Sequence, residues 1–360
     1  MKSVMMALFA ILLAGDGLAV TINHSHIAGV TNYPLTVMSQ VATQKWLFTH
    51  ASVGGNIVDG LSTLHAGNSS RYPLSPSGID TAGSYGGSDY RAENAPASTT
   101  AGTVYECARG NPSWQNKVLC FSNSLVRAGW GSNKVHFAMD KFCWIDPDAG
   151  STKYLQTLSG LEQRFTNMNI VYTTIPLTGL QDEENDSRNT YNRAVRTYCL
   201  SNGKWLYDVA DIEAWSPQNV QQTYVSGVQT NQRMYSGYAV DSGSGDWHLN
   251  SAGQQRLALG WYAVAATAVN TNIVKAFSFK AVALTNSVVL RWPDPTQCGL
   301  SNRTVHVRCA ADAYPTSTTH GIEVYTGMTN VFEHGGLTPG QIYYYTIWGS
   351  HDGVTFIEPH

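Results

Sequence analysis

From Lys45 to Val269 the chain alternates short apolar stretches of strand length with longer stretches of helical period, and this alternation narrows its fold more than any other feature. Lys45–His50 (KWLFTH) reads as a strand, and residues 57–64 behind it as a helix. Residues 112–128 can form a helix that Gly129 stops. Residues 134–145 contain a strand, and Tyr154, Leu155, Leu158, Leu161 and Phe165 fall at helical spacing. Residues 169–175 form a strand ended by Pro176, residues 191–199 a helix, and residues 205–209 a strand. Residues 252–269 form a helix opened by Ser251-Ala252-Gly253-Gln254, a capping-box pattern. Between residues 67 and 103 the chain is rich in Gly, Ser, Thr and Pro and reads as one long loop. Such alternation predicts an α/β domain, residues 20–270, with a mainly parallel sheet between helices. Ligands of such sheets bind outside the carboxyl ends of the strands, and Ser52 follows the first strand there.

After Asn270 the texture changes. Val288, Leu290 and Trp292 alternate, as do Val305, Val307 and Cys309, and again Tyr343, Tyr345 and Ile347. Turn residues separate these runs and no helical stretch remains, so residues 273–360 are expected to form an all-β sandwich. The segments SVVLRWPDP and LTPGQIYYYTIWGSHDG resemble a fibronectin type III domain.

The charge balance excludes some functions. Lys plus Arg number 22 and Asp plus Glu 25, which gives no electrostatic case for nucleic acid or an anionic membrane as partner. The amino terminus reads as an export signal, residues 1–19: Lys2 is the positive region, residues 4–14 are apolar, and cleavage is expected after Ala19. That run is too short to span a bilayer comfortably, so the mature chain is expected to be secreted or periplasmic, with no integral membrane segment. An oxidising compartment makes the six cysteines candidates for disulfides. Cys298 with Cys309 is the first expected pair and Cys107 with Cys120 the second; Cys143 and Cys199 could equally be buried thiols.

A serine hydroxyl needs a base to take its proton and donors to hold the oxyanion that its attack creates. Ser52 stands between a strand and a helix, where a helix amino terminus offers free N–H groups, and Gly54 and Gly55 permit close approach. Taken alone, Ser-Val-Gly-Gly reads as a helix cap with a glycine turn. The second feature is Gly245-Asp246-Trp247-His248-Leu249-Asn250, just before the last helix of the α/β region. A serine at the first strand–helix turn, with an acid and a histidine at the last helix, is the order found in SGNH/GDSL hydrolases. Over about residues 40–270 the chain resembles a divergent branch of that family, in HASVGGNIVDG, ARGNPSWQNKV, DKFCWID, VYTTIPLTG, LYDVADIE and DWHLNSAG.

The resemblance implies a three-layer α/β/α fold, an esterase acting on small-molecule or carbohydrate esters, and no metal or other cofactor. It makes Ser52 the nucleophile, His248 the general base and Asp246 the carboxylate that orients it, with Asp241 in reserve. The oxyanion hole would use the N–H groups of Ser52 and Gly110, with Asn111 as a side-chain donor. The chain departs from the family pattern in three places. Ala51 precedes the serine where an Asp is usual, the last block reads Asp-x-His instead of Asp-x-x-His, and DKFCWID lacks the Gly-x-Asn that normally gives a third oxyanion donor. Asp208, Asp211 and Glu213 form an acidic cluster that reads as a strand end and loop. His50 stands near enough to Ser52 to compete as its partner, though on a strand it is expected to bond locally. Asp140, Lys141 and Asp146 either shape the pocket or form ordinary ion pairs. Two other functions fit the same residues: a glycan-binding protein that has lost activity, and an acyltransferase that excludes water. Neither the ester nor the oligomeric state is set by the sequence.

Overall fold

The structure is a computed structural model and describes residues 19–269, 280–292, 304–312, 314–315 and 317–350. Residues 1–18 of the expected export signal, and Cys298, lie outside the described residues.

The α/β region opens with β1 (Val20–Ile22), α1 (Leu35–Val41), β2 (Lys45–His50) and α2 (Val53–Gly67). It continues with β3 (Ser75–Gly78), β4 (Thr81–Ala82), β5 (Arg91–Ala92), β6 (Thr103–Ala108) and α3 (Trp114–Val126). Then come β7 (Phe137–Asp140), α4 (Ser151–Arg164), β8 (Asn169–Thr173), α5 (Glu183–Ser201), β9 (Trp205–Tyr207) and α6 (Val209–Ala214). Two hairpins, β10 (Thr223–Ser226) with β11 (Gln229–Gln232) and β12 (Ala239–Asp241) with β13 (Asp246–Leu249), lead into α7 (Ser251–Val269).

Seven strands form one sheet in the order β1-β9-β8-β7-β2-β6-β3, and every pair in it is parallel. β2 lies inside that sheet, and its residues from Trp46 to His50 are all buried. Alternation sends Trp46 and Phe48 to one face and Leu47 to the other. Trp46 and Phe48 belong to a buried cluster with residues of α1, α2, α6 and α7, and Leu47 to one with residues of α3, α4 and α5. Both faces are thus covered by helices, which is the condition an all-parallel sheet requires. This is the α/β/α architecture expected.

Several boundaries differ from the sequence reading for local reasons. The region read as one loop contains β3, an edge strand whose Pro76 needs no partner on its open side. α5 begins at Glu183, well before its apolar period starts, because the Asp182 side chain accepts from the Asn185 N–H at 2.8 Å and caps it. α7 is capped by Asn250 and not by Ser251: the Asn250 carboxamide oxygen accepts from Ala252 and Gly253 at 3.0 and 3.2 Å.

The disulfide expected between Cys107 and Cys120 is not formed, and both are buried free thiols. Cys107 sits on β6 and Cys120 on α3, between the sheet and its helical layer, where a thiol packs as a small apolar group. Burial raises both pKa values, that of Cys120 to about 12. Cys143, Cys199 and Cys309 are buried free thiols as well.

The C-terminal strands are β14 (Lys280–Ala283), β15 (Ser287–Arg291), β16 (Thr304–Ala310), β17 (Ile322–Gly327), β18 (Val331–Gly335) and β19 (Tyr344–Ser350). They form two antiparallel sheets, β14-β15-β18 and β17-β16-β19. Their core contains Leu290, Trp292, Val305, Val307, Cys309, Tyr345 and Ile347. Among the described residues, no helix is long and apolar enough to cross a membrane.

Candidate active site

Three neighbouring strands, β6, β2 and β7, end side by side and supply the floor of one cleft. After β2 the chain turns sharply through Ser52, whose φ of 55° and ψ of −116° lie outside the usual regions for a residue with a side chain. Such a conformation costs about 1–3 kcal/mol and persists only where the surroundings enforce it. Ser52 occupies the N-cap position of α2, yet its side chain makes no capping bond. Its Oγ lies 2.5 Å from His248 Nε2 instead. That contact separates the two sequence readings of Ser-Val-Gly-Gly. Gly54 is required two residues on, because a Cβ there would fall 2.3 Å from the Cβ of His50.

His248 arrives on β13, which runs antiparallel to β12 outside the main sheet. The strand explains how Asp-x-His can serve. Alternate residues of a strand share a face, so Trp247 and Leu249 are buried while Asp246 and His248 both point outward. Asp246 Oδ1 is 2.6 Å from His248 Nδ1 and also accepts the His248 backbone N–H at 3.0 Å. These bonds hold the Asp246 carboxyl below the usual carboxylate range. Asp241 is engaged elsewhere, accepting from the N–H groups of Gly243 and Ser244 in its own turn. The Leu249 N–H donates to Asn56 of α2 at 3.0 Å and ties the hairpin to the helix that Ser52 begins.

Gly110 and Asn111 follow β6 and line the cleft. Gly110 has φ of 69°, a conformation that favours glycine, and a Cβ there would approach the Tyr85 ring at 3.1 Å. The buried Arg109 before it reaches across to β7, donating to Asp140 Oδ1 at 3.0 Å, to the Lys141 carbonyl at 2.9 Å and to the Gly110 carbonyl at 3.2 Å. Thr49 donates to the same Asp140 oxygen at 2.6 Å, which locks the three strand ends together. The Asn111 side chain accepts from Lys117 Nζ at 2.9 Å. Cys143, Trp144 and Ile145, after β7, form the facing wall. The Trp144 ring lies edge-on to the His248 ring at 6.2 Å. The cleft holds about 380 Å³ and is lined also by Ala51, Gly55 and Ala108, so most of its wall beside the serine is apolar.

Other residues singled out in the sequence have local partners. His50 Nε2 lies 2.7 Å from Glu106, its ring stacks on Phe48, and burial lowers its pKa. Asp140 and Asp146 form ion pairs with Arg109 and Lys117. Lys141 is fully buried near Glu213; burial pulls the lysine down and pushes the glutamic acid up. The acidic cluster does not converge: Asp208 pairs with Arg196, Asp211 bonds to His24, and Glu213 accepts the Leu177 N–H at 2.9 Å. Among the described residues, no three His, Cys, Asp or Glu side chains are grouped to hold a metal ion. Asn56, Lys117 and Trp144 lie within the stretches HASVGGNIVDG, ARGNPSWQNKV and DKFCWID, but the sequence assigns them no role; their place beside the strand ends marks them.

Chemically, the arrangement can deprotonate a serine hydroxyl facing an open cleft, with a carboxylate behind the base. No family model matches the chain, and no curated protein matches it. Among solved structures, it is similar to a GDSL-like lipase from Bacteroides thetaiotaomicron, at 8% identity and a TM-score of 0.36, over 68% of this chain and 98% of that one. It is similar also to a catalytic mutant of an acetylxylan esterase from Geobacillus stearothermophilus, at 13% identity and a TM-score of 0.36, over 62% of this chain and 94% of that one.

Proposed function

We propose that the chain is an exported ester hydrolase of the SGNH/GDSL type. The observation that carries this reading is the hydrogen-bonded run from Ser52 Oγ through His248 to Asp246, opening on a cleft at the carboxyl edge of the sheet. In this reading Ser52 Oγ attacks the acyl carbonyl carbon while His248 Nε2 takes its proton. The carbonyl oxygen becomes an oxyanion held by the N–H groups of Ser52 and Gly110, with the Asn111 carboxamide beside them. Collapse of the tetrahedral adduct breaks the ester C–O bond, and His248 returns the proton to the departing alcohol. Water then repeats the sequence on the acyl-serine and frees the acid. Asp246 keeps the imidazole in the useful tautomer and balances its charge.

The apolar wall of Ala51, Ala108, Trp144 and Ile145 suits a short acyl group, and the open cleft leaves room for a bulky alcohol such as a sugar. An O-acetylated carbohydrate is therefore the preferred substrate. The strand pairing of residues 280–350, first, second and fifth in one sheet and third, fourth and sixth in the other, supports a fibronectin type III-like appendage. Lys2 and the apolar residues 4–14 support export.

A fluorophosphonate probe tests the reading, because it bonds only to an activated serine. The wild-type chain should be labelled and should hydrolyse p-nitrophenyl acetate, and Ser52→Ala should do neither while remaining folded. An unlabelled wild type would favour a binding protein on the same fold. A Ser52→Ala variant with most of the wild-type rate would remove Ser52 from the chemistry.

A further inference from the structure

The stretch DKFCWID offers no asparagine for the oxyanion, yet the cleft contains a carboxamide from a different strand end, that of Asn111. A carboxamide serves as an oxyanion donor only if its NH2 faces the substrate, and a freely turning one presents its oxygen as readily. The side chain that removes this freedom is Lys117. It lies on the inner side of α3, fully buried beside Val118 and Phe121. Its ammonium donates to Asn111 Oδ1 at 2.9 Å and to the two Asp146 oxygens at 2.7 and 2.6 Å. Those bonds use all three ammonium protons.

An ammonium has no acceptor, so only the oxygen of Asn111 can face it and the NH2 must point the other way. The Asn111 orientation is therefore fixed by chemistry. Asp146 extends the device, since its Oδ2 also accepts the Cys143 N–H at 2.8 Å. One buried pair thus joins the loop after β6, which carries Gly110 and Asn111, to the turn after β7, which carries Trp144 and Ile145. Burial lowers the Lys117 pKa, and Asp146 acts to raise it. A buried pair contributes little net stability compared with apolar residues of similar size, so its retention beside a cleft calls for another role.

We propose that Lys117, held by Asp146, is a positioning residue that turns the Asn111 NH2 into the cleft and so supplies the oxyanion donor that DKFCWID lacks. The inference rests on Ser52 being the nucleophile and specifies which donors serve it. Asn111 touches the reacting oxygen, and Lys117 acts through Asn111.

The test is a double-mutant cycle on the full chain with p-nitrophenyl acetate, separating kcat from KM. Loss of one oxyanion donor typically lowers kcat about 100- to 1000-fold. Asn111→Ala should do this with KM little changed. Lys117→Met with Asp146→Leu removes the pair without stranding a charge, and should lower kcat at least about 10-fold. In the Asn111→Ala background the same pair replacement should cost less than about 2-fold. Asn111→Asp gives a second route that does not depend on the pair variant folding. Its carboxylate keeps the Lys117 contact but has no proton to give, so kcat should fall as far as in Asn111→Ala with Tm unchanged or higher. A silent Asn111→Ala, an active Asn111→Asp, or losses that multiply across the cycle would each overturn the proposal. These outcomes are distinct from failure of the hydrolase reading, which would show as an inactive, unlabelled wild type, and from failure of Ser52 as nucleophile, which would show as a fully active Ser52→Ala.

Discussion

Replacing Asp246 by Asn removes a charge while leaving nearly every contact in place. The carboxamide oxygen of the Asp246→Asn side chain can still accept the His248 backbone N–H and the ring Nδ1–H, as Asp246 Oδ1 does at 3.0 and 2.6 Å. The useful tautomer is therefore largely kept, and the loss comes from the imidazolium that forms as Ser52 gives up its proton. The His248 and Asp246 side chains are 39% and 42% exposed, so water screens the pair. Between the limits of bulk water and an effective dielectric of about 20, loss of such a screened attraction corresponds to about 5- to 900-fold in rate. This lies below the ~10,000-fold loss known for a buried aspartate in such a triad, where the wrong tautomer adds to the cost. The assay is kcat for p-nitrophenyl acetate against pH, with Ser52→Ala as the floor. Tm should hold within about 1 °C, because the carboxylate packs against nothing that its removal would open. A loss under 2-fold, or an equal loss in Asp241→Asn, would refute the assignment of Asp246.

Gly54→Ala should lower stability by about 1–3 kcal/mol and reduce kcat, because its Cβ would overlap His50 and push the Ser52 turn aside; thermal melting and hydrolysis measure both, and an unaltered Tm would contradict the geometry. Burial is the chief cause lowering the pKa of His26, to about 4, and of His50, so the unfolded chain binds protons near pH 6.5 where the native chain does not. The contribution of these two rings to stability should be full above about pH 6.5 and fall toward pH 4, by at most about 1.4 kcal/mol per pH unit for each ring; urea midpoints at several pH values, compared between wild type and His26→Gln, should show a shallower acid fall in the variant. Iodoacetamide added to protein unfolded without reductant should alkylate both Cys107 and Cys120, and a cross-linked peptide joining them would refute the free-thiol assignment.

Much of the α/β frame was legible because its central strands are buried on both faces and its helices carry apolar stripes. The Ser52 and His248 positions could be read from their order along the chain. Asp246 was legible too, but the reason its spacing suffices was not: residues 246–249 had to be recognised as a strand. What escaped was set by polar or tertiary features. β3 has no apolar alternation because it lies at an edge, and the first turns of α5 are a polar run that only the Asp182 cap identifies as helix. The Lys117–Asn111–Asp146 cluster joins three segments that touch only after α3 packs on the sheet. The Cys107–Cys120 expectation failed because an even cysteine count says nothing of whether two thiols on different layers face each other.

Ser52 and His248 belong to different parts of the fold. Ser52 continues an interior strand of the seven-stranded sheet, while His248 and Asp246 ride together on a hairpin outside it. The hairpin is tied to the serine's own helix through Asn56. The His248–Asp246 pair therefore moves as one piece, and slippage at this seam would part Ser52 from His248 without disturbing the His248–Asp246 bond. A displacement of about 1 Å can cost about 100-fold in rate. Mild heating or low denaturant should then switch the chain off through the seam well before the sheet gives way, and cooling should restore it. The stiffness of this junction, more than the stability of the whole, would set the temperature at which the chain can work.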